Sequence, residues 1–148
     1  MNETLDFDTR VKLAVYRHFA DAASAPTVAQ VAASVTASET DVRGALARLF
    51  RNRVLVLEWD EIRMAPPFSG VPTQHVVVTG ERSYTANCAW DALGVLAALH
   101  VEGEVHSRCE QSLEPLRLKV GRGGPEPEPC VIHFAVPAAH WWRDIVYT

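Results

Sequence analysis

Apolar residues recur at helical spacing through about the first fifty residues of the chain. The first set is spaced four residues apart and comprises Phe7, Val11, Val15 and Phe19. This spacing puts them on one face of a helix, which the segment 22–26 then breaks. Thr27 and Ser38 each precede a further apolar set, and Asp41 follows Ser38 at capping-box distance. The pattern therefore predicts three helices, the third with an apolar face made of Val42, Ala45, Leu46, Leu49 and Phe50.

Two short β-like runs follow these helices, at residues 54–57 and 62–64. Three helices followed by a small hairpin are typical of a winged helix, so residues 1–64 are predicted to form a winged-helix-like lobe. Residues 65–74 contain three prolines, which disfavour helix and central strand alike, and are predicted to be a linker.

Residues 75–148 mix strand and helix patterns and are predicted to form the catalytic lobe. The runs 75–79 and 83–85 predict a hairpin, and Asn87 can cap a helix over 88–99. Further strands are predicted at 104–108, 116–120 and 130–136, with an exposed loop over 121–129 and a last helix opened by Pro137. The predicted fold class is α+β: the winged-helix-like lobe, then a small mixed or antiparallel sheet with flanking helices.

Composition changes this picture little. The chain has 148 residues, 48% of them hydrophobic and 22% charged, which is ordinary for a globular protein. A net charge of −4 lacks the basic footprint of a nucleic-acid-binding protein. No signal peptide is recognised in residues 1–9 and no apolar run approaches the roughly 20 residues that span a bilayer, so we expect a cytoplasmic protein without a membrane partner.

The candidate chemistry centres on Cys88 and Asp91, which lie three residues apart and so share one helix face. Free amides and the helix dipole at a helix start lower the pKa of a thiol, whereas a neighbouring carboxylate raises it. Such a pair can share one proton, which suits a site that holds a soft metal on sulfur and delivers a proton to carbon. An inert cysteine beside a carboxylate that only complements the dipole is the competing interpretation.

Three motifs carry a resemblance to a known family. Residues 83–99, with Cys88-Ala-Trp-Asp91 opening a helix, resemble the active-site stretch of the alkylmercury (organomercurial) lyases. Residues 105–109 resemble a second motif of that family, a strand that ends in a cysteine, and 141–144 resemble its C-terminal helix. A winged helix at the N-terminus is also a feature of the family, so the resemblance extends over nearly the whole chain.

The resemblance implies roles for individual residues. Cys88 is implied to attack mercury and Asp91 to shuttle the proton, with both expected to hold the metal. Cys109 is implied to be structural, as a buried thiol behind the site. The family's second catalytic cysteine is implied to follow the last helix, where this sequence has none up to Thr148, and weaker turnover is therefore expected. Cys130 receives no role.

The resemblance also implies the reaction and its participants. The protein would protonolyse a carbon–mercury bond of an organomercury substrate and release a hydrocarbon and Hg(II). We expect no cofactor, excess cellular thiol as co-reactant, and a downstream thiol protein as a candidate acceptor of Hg(II). Trp90, Trp141 and Trp142 could wall an apolar pocket for the organic group or be ordinary core residues.

Two other functions compete with the lyase. The first is a protein of the same fold that binds a soft metal or thiol ligand without turnover. The second is a winged-helix DNA-binding regulator, motivated by the basic residues Arg43, Arg48, Arg51 and Arg53. Nearby acids offset that charge, namely Glu39, Asp41, Glu58, Asp60 and Glu61. The electrostatic case for DNA binding is therefore weak.

Overall fold

The structure, a computed structural model, describes residues 5–146. The expectation about the chain end at Thr148 lies outside these residues. The chain begins with three α-helices: α1 (Phe7–Ala22), α2 (Val28–Val35) and α3 (Glu39–Arg51). The Thr27 hydroxyl accepts the Gln30 amide proton at 3.2 Å, while the Gln30 side chain accepts the Thr27 amide proton at 2.8 Å. The Ser38 hydroxyl accepts the Asp41 amide proton at 3.1 Å, so both predicted helix starts are confirmed.

The three helices pack through the apolar faces that their spacing predicts. The buried residues are Val11, Val15 and Phe19 of α1, Val28, Val31, Ala32 and Val35 of α2, and Val42, Ala45, Leu46 and Leu49 of α3. Phe50 was also predicted to lie inward but is 41% exposed. Leu46 and Leu49 lie near the middle of the apolar stripe, whereas the 3.6-residue period carries Phe50 to its edge.

A first antiparallel sheet follows the helices in the order β1-β2-β3. Its strands are β1 (Val56–Glu58), β2 (Glu61–Ala65) and β3 (Phe68–Ser69). The segment predicted as a linker therefore contributes an edge strand, because Pro66 and Pro67 form the turn and leave Phe68 free to pair with Ala65. Three helices and this sheet have the element order of a winged helix, and that assignment, like the division at 64 and 75, stays a prediction.

The second sheet has five antiparallel strands in the order β5-β4-β6-β7-β8. The elements are β4 (Val76–Thr79), β5 (Arg82–Thr85), α4 (Ala89–Leu99), β6 (Gly103–Arg108), β7 (Pro115–Gly121) and β8 (Gly124–Pro125). Helix α4 packs on β4 and β6, and Val77, Val95, Leu96 and Val105 are buried between them. The α+β class with antiparallel sheets is confirmed for the residues described.

The C-terminal part differs most from expectation. The predicted loop 121–129 contains β8, which pairs with β7. Residues 130–136 form no strand, and that prediction was wrong. A strand needs a partner, and β8 occupies the open edge of β7, so side-chain ring contacts hold this segment instead. The last helix is a 3₁₀ helix, Ala138–Arg143, and not an α-helix.

No helix in residues 5–146 has the length and apolar character needed to cross a bilayer.

Gly103 sets the distance between α4 and the sheet. A Cβ atom at this position would lie 2.5 Å from the Val78 carbonyl oxygen and 2.7 Å from Leu96 Cδ2. We expect Gly103→Ala to lower the free energy of unfolding by about 1–3 kcal/mol, because the added methyl group overpacks the core. Gly121→Ala is the matched control, since a Cβ there meets no atom within 4 Å. Urea unfolding of both variants checks this, and equal effects would contradict it.

Candidate active site at the start of helix α4

Cys88 lies at the N-terminal end of α4, as its capping residue. Its backbone is extended, with φ −151° and ψ 178°, and its sulfur accepts the Asp91 amide proton at 3.4 Å. The prediction that Asn87 caps this helix was therefore wrong by one residue. The sulfur, a weak acceptor, takes the place usually held by an oxygen because the Asn87 side chain is engaged elsewhere.

The Asn87 side chain binds the candidate carboxylate. Its Nδ2 donates to Asp91 Oδ2 at 2.9 Å and lies 3.4 and 3.3 Å from the carbonyl oxygens of Pro67 and Phe68. Sequence reasoning missed this contact. An Asn four residues before an Asp across a helix start is a recognisable pair, although the two carbonyl partners come from a distant part of the chain.

Burial dominates the electrostatics of the pair. Burial raises the pKa of the half-buried Cys88 thiol; the Asp91 amide opposes this rise, and the Asp91 carboxylate adds to it. Burial also raises the pKa of Asp91, although the hydrogen bond from Asn87 acts in the opposite direction and lowers it. We expected the helix start to lower the thiol pKa, but desolvation outweighs it. Both groups therefore hold their protons to higher pH than they would in water.

Helix α1 brings a tyrosine to the same region. The Tyr16 hydroxyl donates to the Pro66 carbonyl oxygen at 3.0 Å. Burial raises the pKa of this hydroxyl, and the Asp91 carboxylate raises it further. The candidate site thus lies where α1 and the segment between β2 and β3 meet the start of α4.

Aromatic rings connect the C-terminal segment to this helix start. The Trp90 ring contacts Phe134 edge-on, with centroids 6.3 Å apart, and Phe134 contacts Trp141 at 5.1 Å. Trp90 is 56% exposed, so this group lies at the surface rather than in the core. Trp142 lies on the same 3₁₀ helix and is half-buried.

The other two cysteines are Cys109, which was expected to be a buried thiol, and Cys130, for which no role was predicted. Cys109 follows β6 and begins a turn, where its sulfur accepts the Ser112 amide proton at 3.5 Å. Hydrogen bonds from the Ser112 side chain and amide lower the pKa of this half-buried thiol. The prediction of a buried thiol was wrong, because β6 ends at Arg108 and the chain leaves the core there. Cys130 is exposed.

Neither the potential metal ligands nor the basic residues of the described chain form a second candidate functional site. Within residues 5–146, no group of three or more His, Cys, Asp or Glu side chains converges as a metal site. Arg48 forms a two-point ion pair with Asp8, at 2.7 and 2.8 Å, and Arg43 lies 3.6 Å from Glu39. Half of the arginines that motivated a DNA-binding role therefore have an acidic partner.

Comparison with known proteins agrees with the resemblance noted in the sequence. The family described as alkylmercury lyase matches residues 68–148, a stretch that includes Cys88, Asp91, Cys109 and Cys130. The chain belongs to the alkylmercury lyase family.

A solved structure shares the fold. It is the mercury-bound form of MerB2, which superposes with a TM-score of 0.64 at 23% sequence identity. The alignment covers 80% of this chain and 59% of that one, so the present chain spans about three-fifths of the length of MerB2. A comparison with curated proteins gives no match.

Proposed function

We propose that the protein is an organomercurial lyase, which captures an organomercury cation on Cys88 and protonolyses the carbon–mercury bond with Asp91. The observation that carries the proposal is the pairing of Cys88 and Asp91 on one half-buried helix start. That pair lies inside the stretch that matches the alkylmercury lyase family.

The first step is capture. Mercury is a soft cation and prefers thiolate ligands, so the Cys88 sulfur forms a bond to the mercury of the substrate. The thiol must lose its proton as this bond forms. The Asp91 carboxylate, in the same helix turn, is the group that accepts that proton. Its raised pKa fits this role, because a carboxylate with a higher pKa is a stronger base.

The second step is cleavage. A second thiol bonds to mercury through its sulfur and releases its proton to solvent, while Asp91 delivers to the carbon the proton that it took from Cys88. The carbon–mercury bond then breaks with its electron pair on carbon, a carbon–hydrogen bond forms, and Hg(II) remains on two sulfurs. Mercury keeps its oxidation state, so the balance requires only thiols. Exchange with excess cellular thiol, or with an acceptor thiol protein, then releases Hg(II). We propose that the reaction takes place in the cytoplasm, where thiols stay reduced.

We propose Cys130 as the second thiol. Phe134, four residues further on, contacts Trp90, which lies two residues after Cys88. This contact brings the segment of Cys130 toward the start of α4, whereas Cys109 occupies its own turn with Ser112. The aromatic group formed by Trp90, Phe134 and Trp141 also offers an apolar surface for the organic part of the substrate.

Hydrocarbon release tests the proposed function. The purified protein is incubated with phenylmercury in excess thiol, and benzene is measured by gas chromatography. We expect catalytic release of benzene by the wild type and by the Cys109→Ser variant. Stoichiometric binding of phenylmercury without benzene would instead establish a soft-metal binding protein without turnover.

Cys130→Ser separates the proposed second thiol from capture. We expect turnover to fall by about 10-fold or more, because a thiol from solution replaces one held close to mercury. Capture of one phenylmercury per chain should persist, since Cys88 is intact. The residual rate should rise with added thiol, unlike the wild-type rate. An unchanged rate in Cys130→Ser would exclude Cys130 as the second thiol.

A further inference from the structure

The orientation of the Asn87 side chain is fixed by its partners. Its amide nitrogen faces the carbonyl oxygens of Pro67 and Phe68, and main-chain carbonyls only accept hydrogen bonds. The same nitrogen therefore faces Asp91 and donates to Oδ2 at 2.9 Å. Among the side chains of residues 5–146, Asn87 is the one that donates a hydrogen bond to the Asp91 carboxylate.

The two carbonyl groups are themselves held in place. Phe68 is buried, and the preceding Pro66 carbonyl accepts the hydrogen bond from Tyr16 of α1. The position of Asn87, and with it that of Asp91, thus depends on contacts that begin in the N-terminal helix. A series of hydrogen bonds and neighbouring residues therefore links helix α1 to the Asp91 carboxylate.

This arrangement has a cost. The Asn87 Oδ1 atom is buried and has no hydrogen-bond partner within the described part of the chain. A buried acceptor without a partner destabilises the folded state. An apolar residue of similar shape would avoid this cost but could not donate a hydrogen bond to Asp91.

We propose that Asn87 is a positioning residue for the proposed lyase reaction, which holds the Asp91 carboxylate in the helix turn that carries the Cys88 sulfur. This inference rests on the proposed function. Asp91 must receive the proton of Cys88 and then deliver it to carbon while mercury is bound. Proton transfer requires the groups to lie within hydrogen-bond reach, so a carboxylate free to turn away would slow cleavage but not capture.

Two substitutions at this position and one control test the proposal. Asn87→Ala removes the amide, and Asn87→Leu replaces it with an apolar group of similar shape. Asn52→Ala removes an amide at the end of α3, where the side chain is exposed. We expect kcat to fall by about 10- to 100-fold in both Asn87 variants, as misplacement of a catalytic group can cost about 100-fold. KM and the capture of one phenylmercury per chain should stay at wild-type values.

The control variant should keep the wild-type kcat. A kcat unchanged at Asn87, or a loss matched by an equal loss of capture and of thermal stability, would overturn the proposal. The second pattern would show that Asn87 supports folding only.

A spectroscopic measurement keeps Asn87 intact and is independent of turnover. We expect the side-chain amide proton and nitrogen signals of Asn87 to move, and to exchange faster with solvent, in Asp91→Ala. Signals that are insensitive to Asp91→Ala would overturn the proposal even in an active enzyme. A wild type that releases no benzene would end the proposed function, and the amide signals would still decide whether Asn87 holds Asp91.

Discussion

Replacing Cys88 with serine is expected to abolish both the capture of an organomercury cation and the release of hydrocarbon. A hydroxyl oxygen is a hard, weakly acidic ligand, and mercury binds soft thiolate sulfur far more strongly. No other thiol in residues 5–146 caps a helix beside a half-buried carboxylate. Mass spectrometry of the mercury adduct and gas chromatography of benzene measure the two losses separately.

Because Cys88 is a helix-capping residue, its replacement by serine should remove the thiol without disturbing the fold. Serine is among the preferred N-cap residues, and its hydroxyl can accept the Asp91 amide proton that the sulfur now accepts. We therefore expect Cys88→Ser to fold at least as stably as the wild type, so that a loss of activity reports the missing thiol. Cys109→Ser, which removes a thiol elsewhere, should keep both activities. Adduct formation that survives in Cys88→Ser would show that another cysteine captures mercury.

The sequence was most informative where structure depends on near neighbours. The caps at Thr27 and Ser38 were predicted because each depends on a residue three positions further along. The hairpin of β4 and β5 was predicted from the runs 75–79 and 83–85, and Gly80 between them takes the positive φ, 57°, of its turn. The spacing of Cys88 and Asp91 placed both residues in one helix turn for the same reason. These signals need no knowledge of the rest of the fold.

The errors arose where distant parts of the chain decide the outcome. Asn87 carries the local signal of a cap, but its amide is taken up by carbonyl oxygens about twenty residues earlier in the chain. Residues 130–136 carry a strand-like pattern, and the pairing of β7 with β8 leaves them no partner there. Cys109 was expected to be buried, yet the place where β6 leaves the core is set by its register with β7.

The roles of Cys88 and Asp91 stay predictions, and sequence and structure bear on them differently. The sequence supplies the residue types and their spacing. The structure adds that burial raises the pKa of both groups and that Asn87 holds the carboxylate. Desolvation could not be read from the sequence, because it depends on how α1 and the segment after β2 cover the start of α4.

Asp91→Asn is expected to separate cleavage from capture. An amide keeps the shape of the carboxylate but neither accepts nor delivers a proton, so hydrocarbon release should fall by about 100-fold or more. Cys88 is intact, so one phenylmercury per chain should still bind. A variant that cleaves at the wild-type rate would show that the proton takes another route.

The same substitution should stabilise the protein near neutral pH. Burial raises the pKa of Asp91 above its value in the unfolded chain, so folding favours the protonated form. Its contribution to stability is therefore fully present below the unfolded pKa and is lost as pH rises through the folded pKa. Asparagine carries no charge to desolvate, and the Asn87 amide can still donate to its side-chain oxygen. We expect the melting temperature of Asp91→Asn to exceed that of the wild type at pH 7 and the difference to vanish at low pH, where Asp91 is protonated in both states. A stability gain together with a loss of cleavage would mark Asp91 as a residue retained for chemistry at the expense of stability.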